Sequence, residues 1–197
     1  PRMSQRPRGI LIVDLGAQYA QLIARRVREV GSWCEIHPPR TAMQAAADMD
    51  LAGIILSGGP ASVYAPDAPS VPEGIVDLGV PVLGICYGMQ WMCQRLGGQV
   101  EGSGEREFGH TQIHVERSEG LFAGIPGDSV VWMSHGDKVT QLPDGFDVLA
   151  SSKSCPFAAI GDGTRGFYGV QFHPEVSHTE QGTAFLTNFV KNVCGLP

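Results

Sequence analysis

Val82-Leu83-Gly84-Ile85-Cys86-Tyr87-Gly88-Met89-Gln90-Trp91-Met92-Cys93-Gln94-Arg95-Leu96 changes rhythm in its middle. Val82 to Ile85 is a short unbroken apolar run, as expected of a strand buried on both faces. From about Gly88 to Leu96 the pattern is helical. A strand that passes directly into a helix is one unit of a parallel α/β sheet. The unit recurs upstream. Ile10 to Val13 is a second apolar run, and Tyr19, Leu22, Ile23, Val27 and Val30 then recur at helical spacing until Gly31 stops them. Trp33 to Ile36 reads as the next strand and Gly53 to Leu56 as the third, which makes Val82 to Ile85 the fourth. This rhythm requires crossover connections and so puts helices on both faces of a parallel sheet.

Downstream the character changes. Short runs at Gln112 to Val115, Val130 to Met133, Val148 to Ser151, Phe157 to Ile160 and Gly166 to Gln171 are separated by Gly, Pro and Asp turns. They read as further strands, several of them antiparallel. Phe185, Leu186, Phe189, Val190 and Val193 share one face of a closing helix. The expected fold is α/β: an open, mostly parallel twisted sheet flanked by helices, with additional antiparallel strands in the second half.

The chain has 197 residues, enough for one substantial core. Residues 9–197 read as a single domain. Residues 1–8 read as a disordered tail, with Pro1-Arg2 ahead of Met3 as a remnant of expression cloning and no apolar stretch of the signal-peptide kind behind it. A net charge of -6 argues against general binding to nucleic acid or anionic membranes, and no apolar run approaches a membrane span. The 5 cysteines are widely spaced and odd in number, which does not suit a disulfide scaffold. Reduced thiols and a cytoplasmic setting are expected, and with no Cys-x-x-Cys pair no metal site is expected.

Gly84-Ile85-Cys86-Tyr87-Gly88 places a cysteine where strand becomes helix, the pattern of a nucleophile elbow with Cys in place of Ser. Small residues two before and two after let the backbone turn sharply. A thiol at a helix N-terminus feels the positive end of the dipole, which favours the reactive thiolate, and the Tyr87 N–H is placed to bind an oxyanion. A free cysteine on its own is most often a buried small hydrophobe, and Cys34, Cys93, Cys155 and Cys194 are read that way.

A thiol nucleophile needs a proton acceptor. Among 6 histidines, His173 stands out, directly after a strand signal in Val170-Gln171-Phe172-His173-Pro174-Glu175. Glu175, two residues on, can share a side of an extended segment with it and hold its tautomer. Ser57-Gly58-Gly59-Pro60 follows the third strand. It is no P-loop, since no Gly-Lys-Ser/Thr follows. Either it is an ordinary turn or Gly59 supplies a second oxyanion N–H.

Ser-Gly-Gly-Pro, Gly-Ile-Cys-Tyr-Gly-Met-Gln and Gln-Phe-His-Pro-Glu, in that order, resemble the class I (triad-type) glutamine amidotransferases, over about Gly9 to Val193. The resemblance implies a glutaminase in which Cys86 attacks the glutamine side-chain amide, His173 relays the proton and Glu175 orients His173. It implies an oxyanion hole from Gly59 and Tyr87, and glutamine contacts from Gly58, Gln90, Ser134, His135 and Gly136. By composition alone, His135-Gly136-Asp137-Lys138 is a polar turn.

Longer segments are similar to the GMP synthetase branch of that family. They are Asp14 to Tyr19 with Ile23 to Glu29 behind it, Arg106 to Gly109, Trp132 to Val139, and Ser154 to Phe157. Nothing matches the Ser-Gly-Gly-Val-Asp-Ser loop of that branch's ATP pyrophosphatase domain. The resemblance therefore implies a chain without its own cofactor. ATP and Mg would belong to a synthetase domain or subunit that receives the ammonia and converts XMP to GMP. A glutaminase of another biosynthetic pathway, or a γ-glutamyl hydrolase of the same fold, would share the catalytic residues. Slow glutamine hydrolysis by the isolated chain is expected.

Overall fold

The structure is a computed structural model that describes residues 7–16, 19–59 and 62–197, with side chains left aside at 103–105. Residues 1–6 of the expected tail, Ala17 and Gln18 of the first branch segment, and Pro60 of the glycine loop lie outside the described residues.

Among the described residues, nine strands form one sheet. β1 (Gly9–Val13), β2 (Trp33–His37), β3 (Leu51–Leu56) and β4 (Val82–Ile85) are joined by α1 (Ala20–Glu29), α2 (Pro39–Asp48) and an irregular segment containing a short 3-10 turn at Glu73–Asp77. α3 (Tyr87–Arg95) leaves β4 at once. β5 (Gln99–Val115) and β6 (Asp128–Gln141) make a long hairpin, followed by β7 (Asp147–Ser151), β8 (Ala159–Asp162), β9 (Phe167–Val170) and α4 (Gly182–Thr187). The order is β2-β1-β3-β4-β9-β8-β7-β5-β6. The pairings from β2 to β9 are parallel, and those from β9 to β6 are antiparallel.

The unbroken apolar runs are explained by burial on both faces. Ile10 and Ile12 pack with α1 residues Ile23 and Val27 and with Phe185 and Phe189. Leu11 and Val13, pointing the other way, pack with Ala42 and Ala46 of α2 and Met89 and Met92 of α3. The helix α2 is an addition to the sequence reading. Pro39 opens it at the first turn, where the missing N–H costs nothing, and alanines carry its buried face.

Two expectations are corrected. His135-Gly136-Asp137-Lys138 is not a turn but part of β6, in register with β5 so that His135 lies opposite Glu107 and Lys138 opposite Glu101. The closing helix is not uniform. After α4 the segment Asn188–Val193 widens to π geometry, with Cys194 N–H reaching back to Phe189 O at 2.8 Å. At that junction the buried Asn188 amide donates to Leu121 O and Ala123 O, each at 2.9 Å.

β6 is the last strand in the sheet order, yet it bridges Met133 to Phe172, just beyond β9. The hairpin therefore arches back over the carboxyl ends of the parallel strands, where open α/β sheets bind ligands.

Candidate active site

Three chain segments that leave the carboxyl ends of β3, β4 and β9 side by side each bring a candidate residue, and the segment after β1 lies beside them. The sharpest is Cys86, between β4 and α3, at φ 52 and ψ -106. It is the one positive-φ residue other than glycine among the described residues. Such a conformation costs on the order of 1–3 kcal/mol and persists only where its surroundings enforce it. Here the Cys86 N–H extends the β4–β9 ladder to Val170 O at 2.7 Å, while its carbonyl accepts Gln90 N–H at 3.1 Å as the first helical bond. Strand and helix thus meet across a single residue. The flanking glycines make that possible. A Cβ on Gly84 would stand 2.6 Å from Met89 N, and one on Gly88 would run into Leu56 O.

The thiol is buried and its contacts are specific. Sγ donates to Ser134 O at 3.4 Å, and Gln171 Nε2 donates to Sγ at 3.5 Å. His173 Nδ1 lies 2.7 Å from Glu175 Oε1, with 4% of His173 and 1% of Glu175 exposed. The second oxygen of Glu175 has no hydrogen-bond partner among the described residues. Burial works against charge on His173, but its contact with Cys86 and its bond to the Glu175 carboxylate outweigh that and push its pKa up to about 10. The structure thus brings Cys86, His173 and Glu175 together.

The histidine is fixed from several sides. Its N–H donates to Trp132 O at 3.0 Å and its carbonyl accepts Thr179 Oγ1 at 2.7 Å. Tyr19 meets the imidazole edge-on at 5.7 Å, and Arg26 Nε donates to Glu175 O at 3.1 Å. The first βα segment singled out in the sequence therefore supports the His173–Glu175 pair.

A cavity of about 190 Å³ opens beside the thiol. Gly59, Tyr87, Gln90, Ser134, His135 and Gly136 all line it with Cys86. Gly58 stands just behind: a Cβ there would be 3.0 Å from His173 Cε1 and 3.6 Å from Cys86 Cβ. His173 and Glu175 are not part of the cavity wall. The Gln90 amide nitrogen is already committed, to Asp137 O at 2.9 Å and Gln171 Oε1 at 3.3 Å.

Several contributors escaped the sequence reading. Ser62, Arg106 and Asp137 also line the cavity. Gln171 had a usable signal: it precedes His173 and Glu175 at the same two-residue spacing, which in an extended reading shares a side. The remaining branch segments converge on Glu107. Its carboxylate meets His135 Nε2 at 3.1 Å, Ser154 Oγ at 2.6 Å and Thr111 Oγ1 at 3.1 Å. His135 Nδ1 faces Asp137 O at 2.9 Å, and Lys138 Nζ donates to Ser154 O at 3.0 Å. Burial pushes the thiols of Cys93, Cys155 and Cys194 up to about 12 and raises that of Cys34, which suits packing rather than reaction. Among the described residues no group of three or more His, Cys, Asp or Glu is arranged to hold a metal, and no helix is long and apolar enough to cross a membrane.

Comparison with known proteins adds to this geometry. The family profile for glutamine amidotransferase class-I matches residues 11–193. The chain is 54% identical over 194 residues to the glutamine-hydrolyzing GMP synthase of Pseudomonas putida (strain W619), and 54% identical over 193 residues to that of Actinobacillus succinogenes. Each alignment covers 94% of this chain and 37% of the relative, so the chain spans little more than a third of their length. A solved structure from Thermoplasma acidophilum, named for one of the subunits of GMP synthase, superimposes with a TM-score of 0.84 at 34% identity, covering 96% of this chain and 94% of that one. A glutamine amidotransferase from Thermotoga maritima shares the fold, with a TM-score of 0.75 at 18% identity over 98% of this chain and all of that one.

Proposed function

The chain belongs to the class I glutamine amidotransferases, and from that premise we propose that it hydrolyses glutamine with Cys86, His173 and Glu175 and passes the ammonia to a synthetase partner that makes GMP. The observation that carries the reading is the strained Cys86 elbow, which lines the cavity and is in contact with the buried, Glu175-bonded His173.

Glutamine enters with its side-chain amide at Cys86 and its amino-acid end toward Ser134, His135 and Gly136. His173 takes the thiol proton as Sγ attacks the amide carbon. A C–S bond forms and the carbonyl electrons move onto oxygen, where the N–H groups of Gly59 and Tyr87 receive the charge. Tyr87 opens α3, so its N–H has no intrahelical partner. The tetrahedral species collapses, the C–N bond breaks and His173 gives the leaving nitrogen its proton, which frees ammonia. Water then attacks the thioester while His173 takes its proton, and glutamate leaves as the C–S bond breaks. Glu175 accepts from Nδ1–H throughout and so aims the other ring nitrogen at sulfur. Gly58 is close enough to the imidazole and thiol to set the width of the site, and Gln90 shapes the cavity wall.

The partner in this reading is an ATP pyrophosphatase domain or subunit of GMP synthetase, which holds ATP and Mg and converts XMP to GMP in the cytoplasm. The synthases to which the chain is similar are much longer than it is, and the branch segments gather around His173, Glu175 and Glu107 rather than scattering over the surface. The test is glutamate release from glutamine by this chain and by Cys86→Ala, alone and with the synthetase domain. Slow release by the chain, faster with the synthetase and lost in the variant, is the expected result. Equal release by the variant would refute the nucleophile, and stimulation only by another pathway's synthetase would refute the GMP assignment.

A further inference from the structure

Ser57 sits between β3 and the two glycines with none of its surface exposed. Its hydroxyl is engaged twice. It accepts the Leu15 N–H at 2.9 Å and donates to the Gly58 carbonyl at 2.9 Å. Its own N–H donates to Val13 O at 3.1 Å. Leu15 belongs to the segment after β1, and its carbonyl presses on the same loop: a Cβ on Gly59 would stand 2.6 Å from Leu15 O. One hydroxyl therefore joins the segments that leave β1 and β3.

The consequence lies in the Gly58–Gly59 peptide. A trans peptide carries its C=O and N–H on opposite sides, and no cis bond occurs among the described residues. With the Gly58 carbonyl held toward Ser57, the Gly59 N–H points the other way, and Gly59 lines the cavity beside Cys86. Two successive glycines could otherwise turn this peptide over easily, since each accepts φ of either sign. A flip would present an oxygen where a donor is needed, opposing any negative charge that forms next to the thiol. We infer that Ser57 is a positioning residue that clasps the Gly58–Gly59 peptide with its N–H turned toward the reacting carbonyl. The inference rests on the glutaminase reading above. Ser57 itself is fully buried and is not part of the cavity wall.

The test compares two reactions of the same sulfur in the full chain. Hydrolysis of glutamine passes through an oxyanion, whereas alkylation of Cys86 by iodoacetamide is a displacement at a saturated carbon and does not. Ser57→Ala is expected to lower kcat for glutamine hydrolysis about ten- to a hundredfold, short of full loss of an oxyanion donor, with KM and the alkylation rate each within about twofold of the parent. Ser57→Thr, which retains the hydroxyl, is expected to recover most of kcat. An unchanged kcat in Ser57→Ala would overturn the inference, and so would a parallel fall in kcat and alkylation, which would mark Ser57 as a support of the fold. A parent chain that releases no glutamate even with a synthetase would instead remove the underlying reading, and this one with it.

Discussion

At the end of β4 the cavity wall is held by main chain. Cys86 is pinned by Val170 O on one side and Gln90 N–H on the other, and it cannot relax without breaking a strand or a helix. Across the cavity, on β6, backbone pairing with β5 is supplemented by a network of side chains. His135 is buried against Glu107, and Glu107 is steadied in turn by Ser154 and Thr111. The difference suits the work assigned to each. Reacting atoms need placement within tenths of an ångström, which the parallel strands supply. The far end of a substrate needs only a shaped and polar wall, which a hairpin can provide and a neighbouring molecule could adjust. Damage to the first region should therefore appear in kcat or in folding, and damage to the second in KM.

The largest effect is expected at Glu175. Glu175→Gln leaves the shape almost unchanged but removes the charge that holds the imidazole, and kcat should fall about a hundred- to ten-thousandfold. The same variant changes the pH response of stability. His173 titrates higher in the folded chain than its ordinary value of 6.5, at about 10. Its folded state thus binds a proton more tightly, and that stabilisation is fully present below about pH 6.5 and is lost as pH rises through about 10. Urea unfolding at a series of pH values should show this decline in the parent and a flatter profile in Glu175→Gln. Identical profiles would remove Glu175 as the source.

Next comes the elbow itself. Gly88→Ala would improve intrinsic helix propensity by about 1 kcal/mol, yet its methyl group runs into the carbonyl of Leu56. Overpacking against rigid backbone should win, with a net loss of about 1–3 kcal/mol by urea unfolding and slower alkylation of Cys86. A neutral or stabilising result would show that the turn can give, and the contrast between the two regions would lose its basis.

The same contrast decides what was legible in the sequence. β1, β3 and β4 could be read because strands buried on both faces leave unbroken apolar runs, and Cys86 because a turn this tight demands glycine at 84 and 88. α2 escaped because alanine marks a buried face only weakly. Of the hairpin only Gln112 to Val115 and Val130 to Met133 were legible, and the rest escaped for a different reason. Glu101, Gly102, Glu107 and His110 pair with β6 through backbone hydrogen bonds that no residue pattern announces, and its buried His135 reads as polar until Glu107 is placed opposite. Motif resemblance pointed to Ser134, His135 and Gly136 without their geometry. Local reading could not show that Arg106 to Gly109 and Ser154 to Phe157 meet, because that contact depends on the register of a strand with few apolar residues.

Glu107 tests the side-chain half directly. Glu107→Gln can still accept from Ser154 but puts an amide where His135 Nε2 meets a carboxylate oxygen. Losing this partly buried, charge-assisted bond should cost about 1 kcal/mol of stability and raise KM for glutamine about three- to tenfold at nearly constant kcat. A fall in kcat with KM unchanged would place His135 among the groups that hold the reacting atoms, contrary to this division of labour.

The smallest effect is expected one residue away. Phe108 points out of the same hairpin with 71% of its surface exposed, and its ring approaches Trp132 edge-on at 5.1 Å. Little apolar area is removed from water there, so Phe108→Ala should change stability by no more than about 0.5 kcal/mol and leave basal glutamine hydrolysis as it was. Glu107 and Phe108 are neighbours on one strand with opposite outlooks, one turned into the His135 network and one into solvent. If the two substitutions gave equal losses, the hairpin would be responding as a single stiff body, and its wall of the cavity would be governed by backbone after all, as the elbow is.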